Sequence, residues 1–182
     1  MNRYANWLKL DNAGKIFPAT SGRRDSGVFR FSCELTEPVQ PAPLQRALEK
    51  TLLRFPHFLC VLRSGLFWYY LEPTDTAPEC HIENTRVCSQ LFYRNKRSLL
   101  FDVSYYHNRI NLETYHVLAD GTGAMLFLQY LICCYLSEIH PDNICCELAD
   151  ELFPGPVSSR AEDSFKKYFN KEKNKKAKKA NH

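Results

Sequence analysis

Residues 110–121 have the sequence Ile-Asn-Leu-Glu-Thr-Tyr-His-Val-Leu-Ala-Asp-Gly. An alternating strand ends at His116, then Asp120 and Gly121 follow, and a long apolar helix comes next. Histidine is the side chain whose ordinary pKa lies nearest neutrality, so it can accept and return a proton at working pH. His116 is therefore the candidate general base.

The alternation also predicts where the side chains of this strand point. Successive residues of a strand face opposite sides of the sheet. We therefore expect His116 to share a face with Leu112 and Thr114. Tyr115 should lie on the other face, with Glu113.

The strands before this segment predict a mostly antiparallel sheet. Residues 28–35 alternate cleanly between apolar and polar side chains, which indicates a half-buried strand. Residues 58–63 and 66–72 are β-prone runs joined by Ser-Gly, which favours a hairpin. A second hairpin is expected from residues 98–106 and 110–116.

Two helices complete the predicted domain. The apolar spacing of residues 44–55 fits an amphipathic helix with a proline near its start. Residues 123–138 are apolar on almost every side, which predicts a largely buried helix. Residues 72–86 contain prolines and threonines and are expected to form a loop. The predicted class is therefore α+β, a mixed, largely antiparallel sheet with helices packed on it.

Charge is concentrated at the C-terminal end of the 182-residue chain. The net charge is +4, but residues 160–182 contain nine Lys or Arg against three Asp or Glu. The segment 159–162, Ser-Arg-Ala-Glu, has the spacing of a capping box. We interpret the lysine run as a solvated helix end and linker. Salt-sensitive binding of a polyanion is the alternative, and nucleic acid is not the expected partner.

Cysteines and hydropathy predict a cytoplasmic protein. The eight cysteines show no CxxC spacing, and the N-terminus has no apolar core of a secretory signal, so most thiols are expected to be reduced core residues. No metal site is predicted. The longest apolar stretch, residues 124–136, is too short to cross a bilayer, so no membrane span is expected.

The order of strand, turn, strand ending in His-x-x-x-Asp-Gly and buried helix resembles the chloramphenicol acetyltransferase-like superfamily of CoA-dependent acyltransferases. This superfamily includes alcohol acetyltransferases, plant acyltransferases and the condensation domains of nonribosomal peptide synthetases. Its HHxxxDG signature corresponds here to residues 115–121, with Tyr115 in place of the first histidine. Residues 7–18, Trp-Leu-Lys-Leu-Asp-Asn-Ala-Gly-Lys-Ile-Phe-Pro, are similar to the opening of proteins described as alcohol acetyltransferases.

The resemblance covers residues 3–155 and implies only the first of two lobes. It predicts an N-terminal acyltransferase-like lobe at residues 1–155. Residues 156–182, a capped helix with a Lys-rich tail, would begin an interlobe linker. The DFGWG motif that the family carries in its second lobe does not occur in this sequence. A second lobe or another copy of the chain is therefore an expected partner.

The resemblance implies a mechanism with acyl-CoA as co-substrate and no tightly bound cofactor. His116 would remove the proton from an alcohol or lipid-like acceptor, which attacks the thioester directly. Asp120 would pair with an arginine and hold the loop in shape, with Arg23, Arg24 and Arg30 as candidates. Gly121 would permit a conformation or close approach that a Cβ forbids.

Three functions are compatible with this sequence. The first is acyl transfer from acyl-CoA, with acetyl-CoA the expected donor, to an alcohol hydroxyl. The second is a non-catalytic interaction module or a truncated acyltransferase fragment, because half of the family's channel is missing. The third and weakest is polyanion binding through the tail.

Overall fold

The structure is a computed structural model of the full chain. The residues that it describes are 8–9, 18, 21, 25–65, 68–93 and 96–141. The predicted capping box at 159–162, the Lys-rich tail, Arg23 and Arg24 lie outside the described residues, as does the predicted domain boundary at residue 155.

A four-stranded sheet forms the larger layer of the domain. Its strands are β2 (Val28–Glu34), β5 (His81–Ile82), β6 (Phe101–Tyr106) and β7 (Arg109–Tyr115), in the order β2-β7-β6-β5. β7 is antiparallel to both β2 and β6. The strand predicted at 28–35 and the hairpin predicted from 98–106 and 110–116 are therefore confirmed.

β5 was missed by the sequence analysis, which expected a loop over residues 72–86. It pairs in parallel with β6, with His81 opposite Ser104 and Ile82 opposite Tyr105. A strand of two residues has no alternation to recognise, so only its pairing reveals it. The expectation of a continuous loop is wrong at this point.

A smaller sheet has the order β1-β4-β3 and is antiparallel throughout. Its strands are β1 (Leu8–Lys9), β3 (Cys60–Ser64) and β4 (Tyr69–Pro73). The predicted hairpin is thus confirmed for β3 and β4. Its connection is closed by the Gly65 N–H, which donates to the Trp68 carbonyl at 2.7 Å.

Two described helices pack against each other, α1 (Pro41–Arg54) and α2 (Gly121–Ile139). α1 begins at a proline, as predicted, because the first turn of a helix needs no N–H donor there. Buried residues of α1 and α2 join the apolar face of the larger sheet in one core. The central members of this core are Leu44, Leu48, Phe58, Phe101, Ile110, Leu112, Phe127 and Leu131.

The length of α2 corrects one step of the sequence analysis. The helix has 19 residues, so it extends beyond the apolar stretch 124–136 and is long and apolar enough to span a membrane. No other helix in the described part of the chain passes this test. However, Ala124, Phe127 and Leu131 are fully buried inside the domain. Of the most apolar 18-residue window of α2, 44% is buried inside the domain, so this helix packs on the core along part of its surface.

The two faces of the larger sheet differ in chemistry. Phe29 and Phe31 of β2 lie on the face that packs against the core, and Arg30 between them points to the opposite face. On that opposite face, Glu113 of β7 is buried among polar partners. Because strand residues alternate between faces, the His116 side chain lies on the same face as Phe29, opposite to Glu113.

Candidate active site

His116 directly follows the last residue of β7 and begins a turn over residues 116–118. Its backbone N–H donates to the Gly27 carbonyl at 2.9 Å. The Leu118 N–H donates to the Tyr115 carbonyl at 2.8 Å, which closes the turn. His116 is thus fixed through its backbone to the residue that precedes β2.

His116 is an exposed residue, but one aromatic ring packs against its imidazole. The ring of Phe29 covers it, with 4.3 Å between the ring centroids and an interplanar angle of 41°. Desolvation lowers the pKa of His116, while the negative charges of Asp120 and Asp25 act in the opposite direction. The neutral imidazole, which is the form that accepts a proton, is therefore favoured near neutral pH.

Asp120 is the N-cap of α2. Its Oδ1 accepts a hydrogen bond from the Gly123 N–H at 2.7 Å, and its own carbonyl accepts from the Ala124 N–H at 3.0 Å. A carboxylate at this place satisfies a backbone donor of the first turn and interacts favourably with the helix dipole. Asp120 therefore stabilises the start of α2 as its N-cap.

Arg30 is not the arginine partner of Asp120. Its Nη2 lies 2.7 Å from Glu113 Oε1 and its Nη1 lies 2.5 Å from Glu83 Oε1, on the sheet face opposite His116. This candidate from the sequence analysis is therefore wrong, because strand alternation directs Arg30 away from Phe29 and His116. Arg23 and Arg24 stay predictions, since they lie outside the described residues.

Gly121 is the first residue of α2, and its backbone is not in the left-handed region. A Cβ added there would meet only Phe31 Cζ among the described atoms, at 4.0 Å, which is ordinary contact. Among the described residues, neither a left-handed φ nor a close approach therefore requires glycine at this position. Its influence on His116 stays a prediction.

Gly27 has the constraint that was expected of Gly121. Its φ is +64°, and an added Cβ would lie 2.8 Å from both Ser21 Oγ and Tyr115 Cε2. Its N–H donates to Asp25 Oδ1 at 3.0 Å. Sequence reasoning missed this residue, although Asp25-Ser26-Gly27 before a strand is a typical turn composition.

Tyr115, in place of the family's first histidine, is fully buried and points away from His116. Its hydroxyl lies 3.0 Å from Ser21 Oγ, and its ring stacks on Phe92 with centroids 6.0 Å apart. Burial raises the pKa of Tyr115. It lies on the Glu113 side of the sheet as predicted, where it packs and does not face the base.

The other described histidines form no cluster with His116. His81 Nε2 lies 2.9 Å from Asp102 Oδ1, at the far side of the sheet. His57 packs between Phe55 and Phe58, and burial lowers its pKa. In the part of the chain that the structure describes, no group of three His, Cys, Asp or Glu side chains is placed to hold a metal ion.

The sheets and the two helices form a fold that is shared by solved structures of condensation domains. The starter condensation domain of the rhizomide synthetase RzmA matches 90% of this chain and 48% of its own, with 13% identity and a TM-score of 0.60. The first condensation domain of the calcium-dependent antibiotic synthetase matches 76% of this chain and 39% of its own, with 16% identity and a TM-score of 0.57.

Polyketide synthase associated protein 5 from Mycobacterium tuberculosis is also similar, over 76% of this chain and 35% of its own, with 17% identity and a TM-score of 0.57. No protein-family model and no curated protein sequence matches the chain. The α+β fold expected from the resemblance is thus confirmed. The chain spans less than half the length of each of these structures.

Proposed function

We propose that this chain supplies the general base of an acyltransferase site, with His116 accepting the proton of an alcohol. The observation that carries this proposal is the placement of His116. It follows a central strand, is exposed, and has a pKa lowered by desolvation. A base of this kind is available for proton transfer near neutral pH.

The proposed reaction transfers an acyl group from acyl-CoA, with acetyl-CoA as the expected donor. The neutral imidazole takes the hydroxyl proton as the alcohol oxygen attacks the thioester carbonyl. The C–S bond then breaks, and the proton passes from the imidazolium to the leaving thiolate. The reaction needs no acyl-enzyme and no tightly bound cofactor. An alcohol or lipid-like molecule is the proposed acceptor, as in the alcohol acetyltransferases that the sequence resembles.

The proposed site includes a second lobe that this chain does not contain. The support is the coverage, because the chain corresponds to 34–48% of the structures that it matches. We propose that residues 1–155 are an N-terminal lobe of a cytoplasmic acyltransferase, and that residues 156–182 lead toward the rest. Another copy of the chain is the alternative partner. Such a partner would complete a channel next to the exposed His116 side chain.

A non-catalytic interaction module is the second candidate, and the exposure of His116 favours it. An acyl-transfer site works best where water is excluded and charge is stabilised by fixed donors. The Phe29 ring packs against the imidazole, yet His116 is an exposed residue. A module of this kind would keep the fold without turnover.

Release of free CoA thiol from acetyl-CoA, measured with a panel of alcohols, tests the proposal. The wild-type chain should release thiol faster than His116→Ala, by roughly the 10²- to 10⁴-fold that a general base contributes. His107→Asn is the matched control, because His107 is an exposed histidine in the β6–β7 turn with a φ of 50°, which asparagine tolerates. Equal rates for wild type and His116→Ala would contradict catalysis and leave the interaction module.

A further inference from the structure

A row of aromatic rings connects the candidate base to the start of α2. The Phe29 ring lies 4.3 Å from the His116 ring, and the Phe31 ring lies 5.6 Å from Phe29 in an edge-on arrangement. Phe31 Cζ in turn lies 4.0 Å from the point where a Cβ on Gly121 would stand. The row therefore joins the end of β7, the strand β2 and the first turn of α2.

The backbone and the ring of His116 are held by different residues. Gly27 holds the backbone, through its carbonyl and the N–H of His116. Phe29, two residues further along the same strand, contacts the ring. Phe29 is in turn fixed by its pairing with Thr114, which is fully buried in β7. The orientation of the imidazole is thus coupled to the Phe29 side chain.

We propose that Phe29 is a positioning residue for His116, which holds the imidazole in one orientation against β2 and shields one side of it from water. The contact between the Phe29 and His116 rings is independent of the proposed acyl transfer. Its effect on catalysis rests on that proposed function. Phe29 does not touch the reacting atoms in this scheme. It acts through His116 alone.

The charges that face His116 come from two elements. Asp120 lies at the start of α2, and Asp25 lies in the turn before β2. Both carboxylates raise the pKa of His116, and desolvation outweighs them. A smaller side chain at position 29 admits water to the covered side. The pKa of His116 should then rise toward the ordinary histidine value.

The test compares Phe29→Leu with Phe31→Leu. Both phenylalanines are half-buried, lie on the same face of β2 and undergo the same change, but only Phe29 contacts His116. The histidine Cε1–H signals are followed by NMR from about pH 5 to pH 8, and the His116 signal is identified by its loss in His116→Gln. Phe29→Leu should raise the pKa of His116, and Phe31→Leu should leave it near the wild-type value.

The kinetic readout separates positioning from substrate binding. In Phe29→Leu, kcat should fall by about tenfold with little change in KM, because an imidazole that is no longer held is less often aligned with the acceptor. The acidic limb of the kcat/KM profile should also move to higher pH, since that limb reports the base of the free enzyme. Phe29→Tyr keeps the ring and should retain most of the activity.

The two proposals fail in distinguishable ways. A His116 pKa that is the same in wild type and Phe29→Leu would overturn the positioning role, whatever the activity. A pKa that responds to Phe29→Leu, in a chain whose thiol release is unaffected by His116→Ala, would overturn acyl transfer and leave the contact established. Because the NMR titration needs no turnover, an inactive chain still tests the inference.

Discussion

The replacement Arg30→Ala should destabilise the domain by about 3–5 kcal/mol, because it removes one partner of a buried ion pair. The side chain of Arg30 is 11% exposed and that of Glu113 is 3% exposed. Arg30 Nε donates to Glu113 Oε1 at 2.9 Å, and Glu83 lies on its other side. The guanidinium thus joins β2 to β7 and to the residue after β5.

The expected loss of stability follows from the partners that Glu83 and Glu113 keep when Arg30 is replaced. Without Arg30, Glu83 keeps the Arg109 guanidinium at 2.8 Å. Glu113 keeps the Cys88 N–H, which donates at 2.7 Å, but has lost the adjacent positive charge. A buried carboxylate with one neutral donor is poorly compensated, so most of the loss should come from Glu113.

The assay is urea unfolding followed by far-UV circular dichroism, with the free energy of unfolding obtained by linear extrapolation. Arg63→Ala is the matched control, because Arg63 pairs with Glu72 at 3.0 Å where the two side chains are 44% and 26% exposed. An exposed pair contributes about 0–1 kcal/mol. Losses within about 1 kcal/mol of each other for Arg30→Ala and Arg63→Ala would refute the reasoning.

The acid dependence gives a second readout of the same interaction. Hydrogen bonds from Arg30 and Arg109 lower the pKa of Glu83. A carboxyl whose pKa is lower in the folded than in the unfolded state contributes stability above the unfolded pKa, and this stability is lost as the pH falls through the folded value. Arg30→Ala raises the folded pKa of Glu83. The variant should therefore lose less additional stability on acidification than the wild type.

Three further predictions concern the cap, the glycine and the second histidine. Asp120→Ala should cost about 1 kcal/mol in urea unfolding through loss of the α2 cap, and Asp120→Asn should cost less. Gly27→Ala should cost more than about 1 kcal/mol, because it combines a left-handed φ of +64° with contacts at 2.8 Å; a thermal shift no larger than that of Asp120→Ala would contradict it. For His81, desolvation lowers the pKa, but the hydrogen bonds with Ile82 and Asp102 and the charges of Asp102 and Glu113 together outweigh it and raise the pKa. The contribution of His81 to the free energy of unfolding should therefore be complete below about pH 6.5 and lost as the pH rises through the folded pKa. In Asp102→Asn, the free energy of unfolding measured in urea should depend less on pH over this range.

Local pattern was enough to predict most elements of the fold. α2 is a long apolar run in the sequence, and the structure confirms it. β2, β7 and α1 show clear periodicity in sequence and are also confirmed, because the buried face of an element repeats at its own period. β5 has only two residues, so the same signal was absent and the element was missed.

Partners far apart in sequence could not be predicted in this way. Arg30 was one of three candidate partners for Asp120, yet its partner Glu113 is 83 residues away and is fixed by strand register. Similarly, Gly121 was assigned a backbone constraint from the motif. The constraint belongs to Gly27, because it arises from the ring of Tyr115 across the sheet.

By itself, the sequence determined the α+β class, the order of the longer strands and the helices, and His116 as the residue with the right chemistry at the end of β7. These features depend on side-chain type and on periodicity along a single segment. The tertiary structure decided that Phe29 covers the imidazole, that Gly27 holds its backbone and that Arg30 belongs to the opposite face. Those contacts depend on which strands pair and in which register, and a shift of one residue would reverse every face.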